Sequence, residues 1–186
     1  MTYYVRNLPH WHPAGAHIFI TWRLHGSPRY SSTNTSAPAE SPGEDFLRDD
    51  RRLDAAKSGP LWLKDDRIAA CVVTILQELH SASLARVAAY AVMANHVHVL
   101  LEPNIPVAEI TRRIKGKTAR ESNRLLKLAG TRFWQHESFD HWVSDQPEFL
   151  RIRRYIERNP VTAGLVTKAE DWPWSSASHP MLDSTK

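Results

Sequence analysis

The sequence has a single cysteine and no long apolar run, and both features narrow the class of protein. Cys71 is the only cysteine among 186 residues, which excludes an internal disulfide framework and a thiolate zinc cluster. No apolar run approaches the roughly 20 residues of a membrane-spanning helix, and the N-terminus lacks the pattern of a signal peptide. We therefore expect a soluble, cytoplasmic protein in which nitrogen and oxygen atoms hold any metal ion.

Length and composition favour one folded domain over residues 1–186. Apolar residues make up 42% and charged residues 24%, so a hydrophobic core can form and global disorder is excluded. The stretch from Gly26 to Pro60 is rich in Ser, Pro, Thr and Asn, which predicts a long, flexible surface insertion with one helical turn near Phe46 to Leu53. Residues 161–186 are predicted to form a C-terminal tail that packs on the body.

Positive charge is concentrated in one segment. The whole chain carries a formal charge of +4, whereas Thr111 to Lys127 alone contains seven cations and one acid. This segment belongs to a predicted helix, Val107 to Leu128, in which apolar residues occupy one side and most of the cations another. Such a stripe is typical either of a surface that holds a nucleic-acid backbone or of a solvated helix face.

The pattern of elements indicates an α+β sandwich, an antiparallel sheet with helices packed on one face. The other predicted elements are a strand at His17 to Leu24, a helix at Asp66 to Leu79, a hairpin of Arg86 to Met93 with His96 to Glu102, an extended segment at Phe133 to Val143 and a helix from Asp145 to Asn159 that Pro160 ends. A strand remains the alternative for Val72 to Ile75.

The sharpest chemical signal is His96-Val97-His98 in an alternating strand. Side chains two residues apart on a strand share a face, so both imidazoles point the same way while Val97 points into the core. Two imidazoles on one face could bind a metal ion through two nitrogen ligands. The alternative is a polar patch on a half-exposed sheet.

A second signal lies on the last predicted helix. Tyr155 and Asn159 are four residues apart, so they lie on one side of the helix, beside the apolar residues Phe149, Ile152 and Ile156. From there both side chains could face the histidines of the sheet. The alternatives are a packing role for the tyrosine and a helix-ending role for Asn159 before Pro160.

Together these blocks resemble a known family. The stretch YAVMANHVHVLLEP (Tyr90 to Pro103) resembles the histidine-hydrophobe-histidine motif of single-tyrosine transposases. The stretch from Phe133 to Ser176, with FWQ, FDHWV, YIERNPVTAGLV and DWPWSS, is similar to the REP-associated tyrosine transposases in particular. Two departures are visible: Ala94 stands where family members often have proline, and the predicted insertion is long.

The resemblance implies a ferredoxin-like sandwich that cuts and rejoins single-stranded DNA at hairpin-forming, REP-like repeats. Carried over to this sequence, it implies Tyr155 as the nucleophile, His96 and His98 as ligands of Mg²⁺ or Mn²⁺, and Asn159 as the third ligand. Tyr155 would form a 5′-phosphotyrosine. The sequence does not identify the base: the alternatives are His136, His141 and a metal-bound water, and both histidines are equally consistent with a surface or packing role. The expected partner is single-stranded or hairpin DNA, with no membrane and no nucleotide cofactor, bound by a monomer or a homodimer.

The cations expected to contact DNA lie on the last two predicted helices. They are Arg112, Arg113, Lys117, Arg120, Arg124, Lys127, Arg153 and Arg154. Two alternatives to the transposase remain open: a DNA- or RNA-binding module of the same fold without activity, and a metal-dependent phosphoesterase that uses water.

Overall fold

The structure is a computed structural model that describes residues 15–27, 50–51, 53–55 and 59–181. The strands in this part of the chain are β1 (Ile18–Arg23), β2 (Ala85–Val92), β3 (His96–Pro103) and β4 (Phe139–Trp142). The long helices are α1 (Asp66–Ser81), α2 (Val107–Leu126) and α3 (Gln146–Thr162). Residues 50, 51, 53 and 54 are also helical. The Val72 to Ile75 stretch, for which a strand was the alternative, lies within α1.

The strands form one antiparallel sheet in the order β2-β3-β1-β4. With α1 between β1 and β2, and α2 between β3 and β4, the chain follows the β-α-β-β-α-β pattern of ferredoxin-like folds. The predicted α+β class is confirmed. The register of the central pair sets Thr21 opposite His98 and Arg23 opposite His96.

The helices cover both faces of the sheet, whereas the sequence predicted one face. On the first face, Ile20 and Val99 belong to the core formed with α1 and α2; on the second, Phe19 and Leu100 pack with Ile156 of α3. Two right-handed crossovers in one sheet place α1 and α2 on the same side. No strand follows α3 within the described residues, so α3 is free to cover the second face, which is also apolar.

The start of α3 agrees with the sequence prediction and its end does not. The Asp145 side chain caps the helix by accepting from the backbone N–H of Glu148 at 2.7 Å. The helix continues past Asn159 to Thr162, with Pro160 inside it, so the prediction that Pro160 ends the helix is wrong. Pro160 has no N–H to donate to the Ile156 carbonyl, but the helical hydrogen bonds resume beyond it, where Ala163 N–H donates to the Asn159 carbonyl at 2.9 Å. Asn159 is thereby held on a regular helical face.

The segment after α3 returns to the sheet along β2. Val92 N–H donates to the Trp174 carbonyl and Ser176 N–H to the Tyr90 carbonyl, both at 2.9 Å. The indole N–H of Trp172 donates to the Val92 carbonyl at 3.0 Å. These bonds pair backbone groups of an edge strand. Among the described residues, no helix has the length and apolarity needed to cross a membrane.

Candidate metal and nucleophile site

The two predicted metal-binding histidines lie side by side on β3, on the sheet face that α3 covers. Both side chains are fully buried, and their Nε2 atoms are 3.0 Å apart. His96 Nδ1 lies 2.7 Å from the side-chain oxygen of Asn95, and His98 Nδ1 lies 2.8 Å from Thr21 Oγ1. Because an amide oxygen only accepts hydrogen bonds, Nδ1 of His96 carries the proton and its Nε2 presents a lone pair.

Asp50 forms a triangle of donor atoms with this pair. Its Oδ1 atom is 3.2 Å from His98 Nε2 and 3.4 Å from His96 Nε2, and its side chain is 2% exposed. Adjacent ligands of an octahedral ion with bonds of about 2.1 Å stand roughly 3 Å apart. The three atoms therefore have the spacing of one face of such an octahedron, and two imidazoles with one carboxylate suit a divalent cation.

Helix α3 brings Tyr155 and Asn159 to the same place. The Tyr155 hydroxyl donates a hydrogen bond to Asp50 Oδ2. Asn159 Nδ2 donates to the same oxygen at 2.9 Å and lies 3.3 Å from His98 Nε2. The ring centroids of Tyr155 and His98 are 5.8 Å apart. The structure thus brings together all four residues that the sequence proposed for the metal and the nucleophile.

Three buried oxygens around the histidines have no hydrogen-bond partner. They are Oδ1 of Asp50, Oδ1 of Asp54 and Oδ1 of Asn159. Asp54 Oδ1 lies 3.7 Å from His96 Nε2. A half-turn of the Asn159 amide, which exchanges its nitrogen and oxygen, would direct its oxygen toward His98 Nε2. Unpaired buried oxygens are costly unless a donor or a cation faces them, so the residues present fit a metal ion.

Burial and neighbouring charges shift the pKa values of the ionisable groups in this site. Burial and the charge of His98 lower the pKa of His96 to about 3, which keeps this imidazole neutral. Burial acts to raise the pKa of Asp50, but the charge of His98 and the hydrogen bond from Tyr155 help to outweigh burial and lower it. Burial and the charge of Asp50 raise the pKa of Asp54 to about 7. Burial and Asp50 also raise the pKa of the Tyr155 phenol, so this phenol is protonated.

Sequence reasoning missed Asp50 and Asp54, which lie within the predicted insertion. Most of that insertion falls outside the described residues, but its end packs into the site: Leu53 is 6% exposed, and its carbonyl accepts from Asn95 Nδ2 at 3.0 Å. The available signal was two carboxylates four residues apart, one in the predicted helical turn near Phe46 to Leu53 and the other directly after it. Such a pair shares one side of a helix and offers hard oxygen donors.

The α2 cations predicted to contact DNA lie on the opposite side of the sheet from Tyr155. Several are paired: Arg112 and Arg113 both contact Glu109, each at 2.7 Å, and Lys117 contacts Glu78 at 2.6 Å. Together with α1 they border a groove of about 470 Å³. The remaining cations predicted to contact DNA here are Arg120 and Arg124, which contact Glu121 at 4.0 and 3.1 Å, and Lys127, which follows the last residue of α2 and is exposed.

Two predicted cations share α3 with the tyrosine. Arg153 contacts Glu157 at 3.2 Å, and Arg154 is exposed. Of the two histidines considered as bases, His136 is exposed and His141 Nε2 lies 3.0 Å from Glu148 Oε1. The carboxylate that contacts the Tyr155 hydroxyl is instead Asp50.

The sheet topology, and the buried histidine pair that faces a helix tyrosine, agree with the fold expected from the resemblance to transposases. The model of one protein family, described as transposase IS200 like, matches residues 61–159. Because this match spans more than half of the chain, the protein belongs to the IS200-like transposase family. The matched region contains His96, His98, Tyr155 and Asn159 and leaves out Asp50.

Two solved structures resemble the chain. A REP-associated tyrosine transposase bound to a REP hairpin is 16% identical, with a TM-score of 0.54 over 100% of this chain and 92% of that one. A candidate transposase from Deinococcus radiodurans is 17% identical, with a TM-score of 0.43 over 77% of this chain and 89% of that one. At this identity the first likeness supports the fold. Among curated proteins, none matches the chain significantly.

Proposed function

We propose that this transposase is a metal-dependent enzyme that cleaves and rejoins single-stranded DNA through Tyr155. The observation that carries the proposal is the hydrogen bond from the Tyr155 hydroxyl to Asp50, whose other oxygen faces the histidine pair. A phenol in this position adjoins the donors of a metal site. That arrangement is what nucleophilic attack on a phosphodiester requires.

The donors for Mg²⁺ or Mn²⁺ are Nε2 of His96 and His98, with oxygens from Asp50 and Asn159. When bound, the cation polarises a phosphate oxygen and offsets the negative charge of the diester. Nε2 of His96 presents a lone pair because its Nδ1 donates to the Asn95 oxygen, and Nε2 of His98 presents one when its Nδ1 donates to Thr21 Oγ1. The buried surroundings exclude bulk water, which disfavours hydrolysis in place of transfer.

The covalent step uses the phenol oxygen. The Tyr155 oxygen forms a bond to phosphorus while the bond from phosphorus to the 3′-oxygen breaks. The phenol gives up its proton and the departing 3′-oxygen takes one up, which leaves a 5′-phosphotyrosine and a free 3′-hydroxyl. The phosphotyrosine keeps the energy of the phosphoester, so a second 3′-hydroxyl reverses the step and joins a new strand without a nucleotide cofactor.

The proposed substrate is single-stranded DNA beside a hairpin, of the REP-like kind. The solved structure of similar fold that carries a REP hairpin supports this choice. Arg153 and Arg154 would hold the backbone near Tyr155, because they lie on the same helix. The α2 cations would contact a more distant part of the DNA, because they lie across the sheet.

A covalent trapping experiment tests the proposal. The full chain is incubated with Mn²⁺ and a hairpin oligonucleotide that has single-stranded flanks, and is then run on a denaturing gel. We expect a protein–DNA adduct that Tyr155→Phe abolishes while DNA affinity stays within a few-fold of the wild-type value. Binding without any adduct would indicate an inactive binding module, and cleavage without an adduct would indicate a phosphoesterase that uses water.

A further inference from the structure

Asp50 enters the site from outside the region that matches the family model. It lies in the helical residues that precede α1, and its side chain is 2% exposed. The neighbouring Leu53 is buried, and its carbonyl accepts from Asn95 Nδ2 at 3.0 Å. Asn95 in turn bonds His96 Nδ1 at 2.7 Å. Backbone and side-chain contacts therefore fix this short segment against the strand that carries the histidines.

The two carboxylate oxygens of Asp50 face different groups. Oδ1 faces Nε2 of His98 and His96, at 3.2 and 3.4 Å, and has no hydrogen-bond partner. Oδ2 accepts from the Tyr155 hydroxyl and from Asn159 Nδ2. The carboxylate thus spans the gap between the nitrogen donors on β3 and the nucleophile on α3.

We infer that Asp50 is a further catalytic residue of the proposed reaction, one that fixes the Tyr155 hydroxyl beside the metal donors. The inference rests on the proposed function. A phenol on a helix rotates about two side-chain bonds, and the ring contacts of Tyr155 with Phe19 and His98 limit the position of the ring. The direction of the hydroxyl hydrogen is set by its acceptor, Asp50 Oδ2. Displacement of a nucleophile by about 1 Å costs on the order of 100-fold in rate.

A purely metal-binding role for Asp50 makes a different prediction. If only Oδ1 mattered, loss of the carboxylate would weaken metal affinity, and saturating metal would restore the rate. If Oδ2 positions the nucleophile, saturating metal leaves a defect. The rate of adduct formation must therefore be compared at a Mn²⁺ concentration shown to saturate each variant.

The test uses Asp50→Asn, which keeps the size of the side chain, and Asp50→Ala, which adds no new polar group. Glu170→Gln, an acid-to-amide change at an exposed position, is the matched control. We expect both Asp50 variants to form the adduct at least about 100-fold more slowly in single turnover at saturating Mn²⁺, with the control unchanged. Recovery of the wild-type rate at saturating Mn²⁺ would overturn the inference.

A spectroscopic readout keeps this inference separate from the proposed function. The chain has five tyrosines, so 3-fluorotyrosine labelling gives few ¹⁹F resonances, and Tyr155→Phe assigns the one of interest. In metal-free protein, Asp50→Asn and Asp50→Ala should shift the Tyr155 resonance more than any other, and Glu170→Gln should leave it in place. An unmoved Tyr155 resonance would overturn the inference. An adduct that persists in Tyr155→Phe would instead overturn the proposed function.

Discussion

The side chain of Asn95 joins His96 to the segment that carries Asp50. Its oxygen accepts from His96 Nδ1 at 2.7 Å, and its nitrogen donates to the Leu53 carbonyl at 3.0 Å. The residue is 1% exposed, so water does not replace either bond. Asn95 therefore selects the tautomer of the His96 imidazole and holds the Asp50 segment in place at the same time.

Loss of the Asn95 side chain should weaken metal binding even though Asn95 is not a ligand. We expect Asn95→Ala to raise the dissociation constant for Mn²⁺ by about 10- to 100-fold, the usual cost of removing a partner of a ligating histidine. Isothermal titration calorimetry measures the change. Asn104→Ala, which removes an exposed asparagine that donates to the Ser83 carbonyl, is the control. Equal affinities in the two variants would contradict the assignment of Asn95.

Metal should stabilise the folded protein, because three unpaired buried oxygens surround the histidine pair. A ligand at 100 times its dissociation constant adds about 2.7 kcal/mol to the free energy of unfolding, which corresponds to a rise of about 5 to 10 °C in Tm for a chain of this size. Thermal scans with Mn²⁺ and with a chelator measure the difference. The double variant His96→Ala, His98→Ala should lose the response, and an equal rise in that variant would place the ion elsewhere.

Asp54 should make the metal-free protein less stable as the pH rises. Its pKa in the folded protein is raised from 3.8 to about 7, mainly by burial and by the charge of Asp50. The folded state therefore holds a proton that the unfolded state releases, so stability is complete below about pH 4 and is lost as the pH rises through 7.

Removing the negative charge of the Asp54 carboxylate should restore the stability of the folded protein at high pH. We expect Asp54→Asn to raise the free energy of unfolding at pH 8 by on the order of 1 to 3 kcal/mol, since each pKa unit is worth about 1.4 kcal/mol and relaxation of the surroundings lowers the total. At pH 4.5 the gain should nearly vanish. Urea unfolding with a chelator present measures both values, with the exposed Asp171→Asn as control. An equal gain at the two pH values would show that the charge is not the cause.

Local periodicity predicted most of the site. Alternation along β3 placed His96 and His98 on one face, and helical spacing placed Tyr155 and Asn159 on one side of α3. These inferences need only the geometry of one element, because a strand repeats every two residues and a helix every 3.6. The side of the sheet that each helix covers depends on crossover handedness and on the partners available to each face. This dependence explains why the predicted single-sided arrangement is wrong.

Asp50 could not be placed in the same way. Its position depends on the path of the chain between β1 and α1, a polar stretch without apolar periodicity. From the sequence alone, a carboxylate in such a stretch is expected on the protein surface. Only the structure shows that the hydrogen bond between Asn95 and Leu53 holds this segment against the sheet. Pro160 is a related case, since the rule that proline ends a helix is local, whereas packing of Ile156 against the sheet holds the helix that contains it.

The α2 cations provide the last prediction, because their place across the sheet from Tyr155 separates DNA binding from catalysis. We expect replacement of Lys117, Arg120 and Arg124 by alanine to weaken DNA binding. The slope of log affinity against log salt should become shallower by about 2 to 3, because DNA binding releases fewer counterions when three phosphate contacts are lost. Fluorescence anisotropy at several salt concentrations measures the slope.

The control is the replacement of Arg67, Arg86 and Lys168, which lie outside α2 and α3, because it removes the same charge. At saturating DNA the α2 triple variant should form the adduct at near the wild-type rate, because its three replaced residues lie across the sheet from Tyr155 and from the proposed metal ligands. Equal slopes in the two triple variants would mean that the α2 stripe is a solvated helix face.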